Sequence, residues 1–318
     1  MKIVVLDGYT TNPGDLSWDA LASLGELTVY DRTEDDEIVA RAGDAEIVIS
    51  NKTPITRETA LQLPKMRLCA LMSTGYNVVD YVFLAEKGVP VCNIPAYSTD
   101  GVAQLVLAFL LEFAVGVGEH TRSVKDGEWA SCADFCYWKK PIFELTGKTL
   151  GIIGMGKIGA AVAKRALAFG MRVIAYTPRD HGNAPDGVTM TTLETVQTQS
   201  DFLSLHCPLT PETKELVNSA FIAGMKDGAY LINTARGPVV NAQDVADALR
   251  SGKLAGAGFD VLENEPPAAD DPIVASPGSF ITPHIAWAAF ETRARLMDIL
   301  TENVRAFLAG APKNVVNL

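Results

Sequence analysis

Residues 151–159 read Gly-Ile-Ile-Gly-Met-Gly-Lys-Ile-Gly, an apolar strand that runs through a glycine turn into a helix. No other feature of the chain narrows its fold as far. Gly154, Gly156 and Gly159 have the G-x-G-x-x-G spacing of a dinucleotide-binding turn. In such a turn the first glycine closes the bend, the second lets backbone approach a pyrophosphate, and the third lets helix and strand pack closely. A helix starting near Lys157 would turn its unpaired N–H groups and positive dipole end toward the phosphates. Glycine-rich strand ends also arise from packing alone, so the surroundings decide. Ala160, Ala161, Val162, Ala163 and Ala166 continue as a small-residue helix, and Met171–Tyr176 is a second apolar strand, which completes a βαβ unit.

The turn lies in the middle of a 318-residue chain, with about one domain's length before it. Ahead of residue 97, apolar runs at Ile3–Leu6, Glu46–Ser50, Arg67–Met72 and Val89–Cys92 alternate with helical or turn-rich segments. They predict a small α/β domain with a parallel sheet. Beyond the turn, strands are expected at Phe202–His206, Ala229–Asn233, Ala257–Val261 and Ser279–Thr282, which with the βαβ unit make a doubly wound sheet of six. Asn241 is placed to cap a helix ending at Gly252. A last helix, about Ala288–Ala309, follows the completed sheet and is expected to pass back to the first domain. Val102–Gly118 is interrupted by Gln104 and Glu112 and is too short and polar to span a bilayer. It reads as one long buried helix that joins domains or lies in a subunit interface.

Charge and cysteine usage exclude several functions. The formal net charge is −11, and the 27 Lys and Arg form no dense run, which argues against a nucleic-acid partner. Met1 opens directly on a strand without a secretion signal, so no membrane association and a cytoplasmic location are expected. Five scattered cysteines do not make a disulfide framework. Cys132 and Cys136 lack a second ligand pair nearby, and no metal is expected.

Ligands of open α/β sheets bind beyond the carboxyl ends of the strands, and three residues there can carry chemistry. Arg236 follows the strand ending at Asn233, Glu265 follows the strand ending at Val261, and His284 follows the strand ending near Thr282. Hydride delivered to a carbonyl carbon leaves negative charge on oxygen, so a proton donor is needed, and His284 is the candidate. A carboxylate beside it favours the imidazolium, a part Glu265 can play. Arg236 offers a planar fork for a carboxylate or carbonyl oxygen. A 2-oxo acid presents both groups. Singly, each residue has an ordinary alternative as a surface ion-pair partner, a solvated loop residue or a satisfied hydrogen bonder; jointly, with the glycine turn upstream, they point to carbonyl reduction.

Seven segments recur together: Ser50–Thr56, Ser73–Asn77, Tyr97–Gln104, the glycine turn, Leu205–Thr210, Asn233–Gly237 and Pro283–Trp287. In them the chain resembles, over essentially its whole length, the D-isomer-specific 2-hydroxyacid dehydrogenases, and within these the glycerate dehydrogenases, also called hydroxypyruvate reductases. The resemblance implies two Rossmann-like α/β domains: a dinucleotide-binding domain, 99–288, inserted into a smaller flavodoxin-like substrate domain, 1–98 and 289–318. Hinges near Pro95 and Ala288 would allow closure around the substrate. It implies Arg236, Glu265 and His284 as the catalytic set. It further implies that backbone N–H groups of Ser73, Thr74 and Gly75 bind the substrate carboxylate, with Asn51 and Lys52 close by.

For the cofactor, the resemblance implies contacts from Gly154, Met155, Gly156, Lys157, Ile158 and Gly159, and from Thr177, Pro178 and Arg179. His206, Cys207, Pro208 and Thr213 would line its cleft. The backbone at Thr234 would face the nicotinamide, Asp260 would receive its carboxamide, and Ala235, Arg236, His284 and Ala286 would also contact the cofactor. Gln104 would lie near the nicotinamide end, unless it is simply a buried helix glutamine. The apolar helix and the following aromatic loop, Trp129–Pro141, would clasp a second subunit in a homodimer, with Trp138 reaching the partner's substrate; the alternative is that these rings pack on their own subunit.

One departure bears on the cofactor. NAD-specific members carry an acidic residue at the end of the second strand, where this chain has Thr177-Pro178-Arg179. Without that carboxylate a 2′-phosphate is not repelled, and Arg179 offers it a partner. Asp180 lies next in sequence and blurs the distinction, so NADP(H) is favoured with NAD(H) possible. Competing functions are a dehydrogenase for another D-2-hydroxy acid, D-lactate or phosphoglycerate, and a nucleotide-sensing corepressor-like protein. The end at Leu318 without an added regulatory domain argues mildly against the phosphoglycerate enzymes.

Overall fold

The structure, a computed structural model, describes residues 1–179 and 182–317. The chain divides into two compact units, Met1–Ser98 with Ala288–Leu318, and Thr99–Trp287. The first is built on a five-stranded sheet of β1 (Lys2–Val5), β2 (Glu26–Val29), β3 (Ile47–Ser50), β4 (Leu68–Leu71) and β5 (Val91–Cys92). Its order is β2-β1-β3-β4-β5, all parallel. β1, β3 and β4 are almost wholly buried, as parallel strands covered on both faces must be. β2 is absent from the sequence reading. It is an edge strand with no fully buried residue, so it carries no apolar run to betray it. The helix Phe290–Leu308 packs against β4 and belongs to this unit.

The second unit holds seven parallel strands: β6 (Thr149–Ile153), β7 (Arg172–Tyr176), β8 (Val188–Met190), β9 (Phe202–Leu205), β10 (Ala229–Asn233), β11 (Leu254–Phe259) and β12 (Ser279–Ile281). They run in the order β12-β11-β10-β9-β6-β7-β8. Strand order reverses between β6 and β9, the place where open sheets of this kind bind ligands. The expectation of six strands therefore falls one short. The missed β8 is a three-residue edge with no buried position. β11 also starts earlier than the expected Ala257, because Ala255-Gly256 lacks a hydrophobic signal.

The single long helix expected over Val102–Gly118 is two. Thr99–Val115 ends at Gly116, which takes a left-handed φ of +65°, and Val117–Lys125 departs at 57°. Glycine adopts that conformation without steric cost. The first helix buries Ala103, Val106, Leu110 and Phe113 against the helix Lys157–Ala168 and the sheet. Gly258 in β11 permits the approach, since a Cβ there would lie 2.8 Å from the Phe109 ring. Among the described residues no single helix is long and apolar enough to cross a membrane.

Candidate active site

The ends of three neighbouring strands converge in the second unit. Arg236 follows β10, Asp260 and Glu265 follow β11, and His284 follows β12. His284 Nδ1 lies 2.6 Å from Glu265 Oε2, and Oε1 of the same carboxylate accepts from the Leu262 N–H at 3.1 Å. Both side chains keep access to solvent, 31% for His284 and 34% for Glu265.

The backbone around them is held by groups that the residue types alone did not disclose. Asn233, fully buried, donates to the Arg236 carbonyl and accepts from the Ala235 N–H, closing the turn that presents Arg236. At Gly237 a Cβ would sit 2.1 Å from Leu262 backbone, so only glycine lets the Arg236 turn lie against the loop carrying Glu265. The exposed Arg236 donates to the Ala235 carbonyl through Nη1 at 2.7 Å. Asp260 was expected to meet a cofactor amide, and its oxygens are already engaged within the fold. Oδ1 accepts from Thr282 Oγ1 and the Ile285 N–H, and Oδ2 from the Ala286 N–H. These bonds flank His284, which sits at a φ of +53°. Burial pushes the Asp260 carboxyl above the usual carboxylate range.

His206, just after β9, also stands near the ligand edge of this sheet. Desolvation pushes its pKa down to about 4, and Nε2 lies 2.8 Å from Ser204 Oγ. It is therefore neutral near pH 7. Cys207 is buried, its thiol pushed up to about 11 by desolvation, which rules out a reactive thiolate. Thr213 Oγ1 donates to the Pro208 carbonyl and accepts from the Thr210 N–H, closing the turn over 208–213.

The glycine turn tests whether a dinucleotide fits. Gly154 has φ +102° and lies against backbone of His206 and Cys207, where a Cβ would come within 2.5 Å; at Gly159 a Cβ would lie 2.3 Å from the Gly154 carbonyl oxygen. Both are glycines for the sake of the fold. Gly156 differs: a Cβ there would meet nothing within 4 Å, and its φ of −88° suits any residue. Packing does not explain this glycine, whereas close approach of a phosphate does. The N–H groups of the first turn of the helix Lys157–Ala168 open on that same space. A second sign is Thr234 Oγ1, buried and without a hydrogen-bond partner among the described residues. The residues fit the group.

Other predicted positions are less direct. The Met155 side chain is buried in the core and can meet a cofactor only through backbone, whereas Ile158 packs against that core while staying partly exposed. Gln104 is exposed, which removes the alternative of a buried helix glutamine. Thr177 Oγ1 donates to the Arg179 carbonyl at 3.3 Å, Pro178 and Arg179 are exposed, and Asp180 lies outside the described residues. Trp138 is 66% exposed and Phe135 88%; neither ring is covered by its own chain. Among the described residues no cluster of His, Cys, Asp and Glu side chains is arranged to hold a metal ion.

In the first unit, the predicted substrate loops follow adjacent strands, Asn51 and Lys52 after β3 and Ser73–Gly75 after β4. Ser73 Oγ donates to the Gly75 carbonyl and Thr74 Oγ1 to that of Ile94, each at 2.6 Å. The Asn93 amide donates to the Thr74 carbonyl, and buried Asn303 donates to the Asn93 carbonyl. Asn93 and Asn303 were not foreseen, because one follows β5 and the other lies within the helix Phe290–Leu308, 210 positions away.

Comparison with known proteins places this geometry. The family described as "D-isomer specific 2-hydroxyacid dehydrogenase, NAD binding domain" matches residues 107–286. A hydroxypyruvate reductase of Blautia hydrogenotrophica is 49% identical over 321 residues, covering 100% of both chains. A glycerate dehydrogenase of Methylorubrum extorquens is 41% identical over 283 residues, covering 88% of each. Among solved structures, an acyclic imino acid reductase in complex with NADPH and D-Arg superimposes with a TM-score of 0.87 at 29% identity, over 99% of this chain and 100% of that one.

Proposed function

Because the chain belongs to the D-isomer-specific 2-hydroxyacid dehydrogenases, enzymes that use a nicotinamide cofactor, we propose that it reduces hydroxypyruvate or glyoxylate to the D-2-hydroxy acid. The observation that carries this reading is the 2.6 Å contact of His284 Nδ1 with Glu265 Oε2, beside the Arg236 turn. When bound, the reduced nicotinamide supplies hydride to the carbonyl carbon. His284 gives the proton to the carbonyl oxygen. With Nδ1–H committed to Glu265, Nε2 is the nitrogen that delivers it, and the carboxylate fixes the orientation of the ring. His206 does not compete, since with a pKa of about 4 it holds no second proton to give. Arg236 binds the substrate's oxygens through the rest of its guanidinium fork. The N–H groups of Ser73, Thr74 and Gly75 receive the carboxylate, with Lys52 adding positive charge. In this reading residues 99–288 form the cofactor domain, and residues 1–98 with 289–318 the substrate domain.

NADP(H) is the favoured cofactor, with NAD(H) also usable. Support comes from the absence of a carboxylate at the end of β7 among the described residues, the exposed Arg179, and the NADPH held by the imino acid reductase of like fold. The chain acts as a homodimer. The exposed Val117, Trp129, Phe135 and Trp138 support this, since large apolar side chains left in solvent are what subunits cover, and Trp138 is proposed to reach the partner's substrate. Light scattering at micromolar concentration should give twice the chain mass; a monomer overturns the dimer.

The substrate reading is tested by initial rates over hydroxypyruvate, glyoxylate, pyruvate and phosphohydroxypyruvate with NADPH and NADH. The highest kcat/KM is expected for hydroxypyruvate or glyoxylate, and for NADPH at least equal to NADH. A preference for pyruvate or the phosphorylated acid would reassign the substrate. An NADH preference beyond about tenfold, or ~1.4 kcal/mol, would overturn the reading of Arg179.

A further inference from the structure

The loop after β3 is built around a carboxylate that belongs to a different strand. Asp7 lies just beyond β1, which pairs with β3. Its Oδ1 accepts from the Asn51 N–H at 2.8 Å, and its Oδ2 from the N–H groups of Lys52 and Thr53 at 2.5 and 2.9 Å. Three consecutive backbone donors thus converge on one side chain. Ser50 Oγ donates to the Thr53 carbonyl at 2.6 Å, and the Asn51 amide donates to Thr10 Oγ1 at 3.0 Å, so the loop is fastened from both sides.

Successive N–H groups turned to one point make an anion-binding concavity. Here the anion is internal. The N–H groups of residues 51–53 are consequently not available to a substrate, and neither is the buried Asn51 side chain. What the loop has left to offer is the exposed side chain of Lys52. A neutral side chain at position 7 would hold the loop less completely. Asparagine has one acceptor oxygen, and its own N–H₂ would oppose a backbone donor. The carboxylate takes all three bonds as charge-assisted ones, and those bonds in turn disperse a negative charge that would otherwise oppose an anionic substrate.

We infer that Asp7 is a positioning residue for substrate recognition: its carboxylate fixes the Asn51–Thr53 loop so that Lys52 is presented to the carboxylate of the 2-oxo acid. This rests on the reading of Lys52 as a substrate contact. Asp7 touches neither substrate nor cofactor, so its removal should act on KM and leave hydride transfer alone.

The test compares wild type, Asp7→Asn, Asp7→Ser and Lys52→Met by steady-state kinetics with hydroxypyruvate, by NADPH titration and by amide hydrogen exchange of the peptide containing residues 51–53. Asp7→Ser, which keeps one acceptor, stands in should Asp7→Asn not fold. The expected result is a KM raised about tenfold in the Asp7 and Lys52 variants, as loss of a contact made equally in ground and transition state raises KM alone. kcat should stay within about threefold, NADPH affinity should be unchanged, and loop exchange should be faster in the Asp7 variants only. An unchanged KM in the Asp7 variants, with Lys52→Met raised, overturns the role of Asp7 and leaves the substrate contact standing. An unchanged KM in Lys52→Met overturns the substrate contact, and the inference with it. Weakened NADPH binding and a lowered kcat in the Asp7 variants would show general damage to the fold and would also overturn it.

Discussion

In the seven-stranded sheet Asn233 and Asp260 are spent on backbone while His284, Glu265 and Arg236 still reach solvent, whereas in the five-stranded sheet the polar side chains around the proposed substrate loops turn back on the backbone. His284 and Glu265 meet each other and remain about one-third exposed, with Arg236 exposed beside them. At the other sheet's edge the Ser73 hydroxyl goes to Gly75, the Asn93 amide to Thr74 and the Asp7 carboxylate to residues 51–53. At both edges the residues proposed for the site lie beyond the carboxyl ends of parallel strands, where open sheets bind ligands. The difference is in which atoms are proposed to do the work. Where side chains are proposed to react, titratable residue types stand at strand ends; where backbone or one presented side chain is proposed to bind, common turn residues are consumed in holding it still.

The comparison is broken most readily at His284. If the seven-stranded edge holds the proton chemistry, His284→Ala should lower kcat by about 10²–10⁴-fold while NADPH affinity stays nearly unchanged, as for a general acid. A fall in affinity without loss of turnover would move the chemistry elsewhere. The next effect is smaller and concerns the cofactor. Gly156→Ala places a Cβ where the protein itself has nothing within 4 Å. Stability should therefore hold within ~0.5 kcal/mol, while NADPH binding weakens by about tenfold, or ~1.4 kcal/mol. Unaltered binding by fluorescence titration would remove the phosphate from that turn.

A further effect, confined to acid pH, is on stability. His206 has a folded pKa of about 4 against about 6.5 when unfolded. Between these values the unfolded chain binds more protons, so stability is fully present above about pH 6.5 and falls as pH is lowered toward 4. His206→Asn should flatten that acid limb, by up to about 2 kcal/mol at pH 5, in urea titrations at pH 7 and pH 5. A parallel loss in both proteins would assign the limb to other groups.

What was legible in the chain follows the same division. The glycine turn, the Asn241 cap with its bond from the Asp244 N–H, and the left-handed Gly252 are local features whose chemistry is written in consecutive residues. The placement of Arg236, Glu265 and His284 past neighbouring strand ends was legible because each follows an apolar strand. β2 and β8 were not, since edge strands bury too little to show a pattern. The break at Gly116 was hidden because glycine within an apolar run is compatible with a continuous helix until its φ is known. Asp7, Asn93 and Asn303 were invisible for a topological reason. Asp7 acts on residues more than forty positions away, and Asn303 lies 210 residues from Asn93. Only strand order brings them together.

The account turns on Glu265 and His284 working as one unit, and a double-mutant cycle on kcat tests that directly. Glu265→Gln alone should lower kcat, and in the His284→Ala background it should add no further loss beyond about twofold, because the partner it serves is gone. If the two losses instead multiply, the carboxylate acts independently of the imidazole, and the 2.6 Å contact between them is not the catalytic pair.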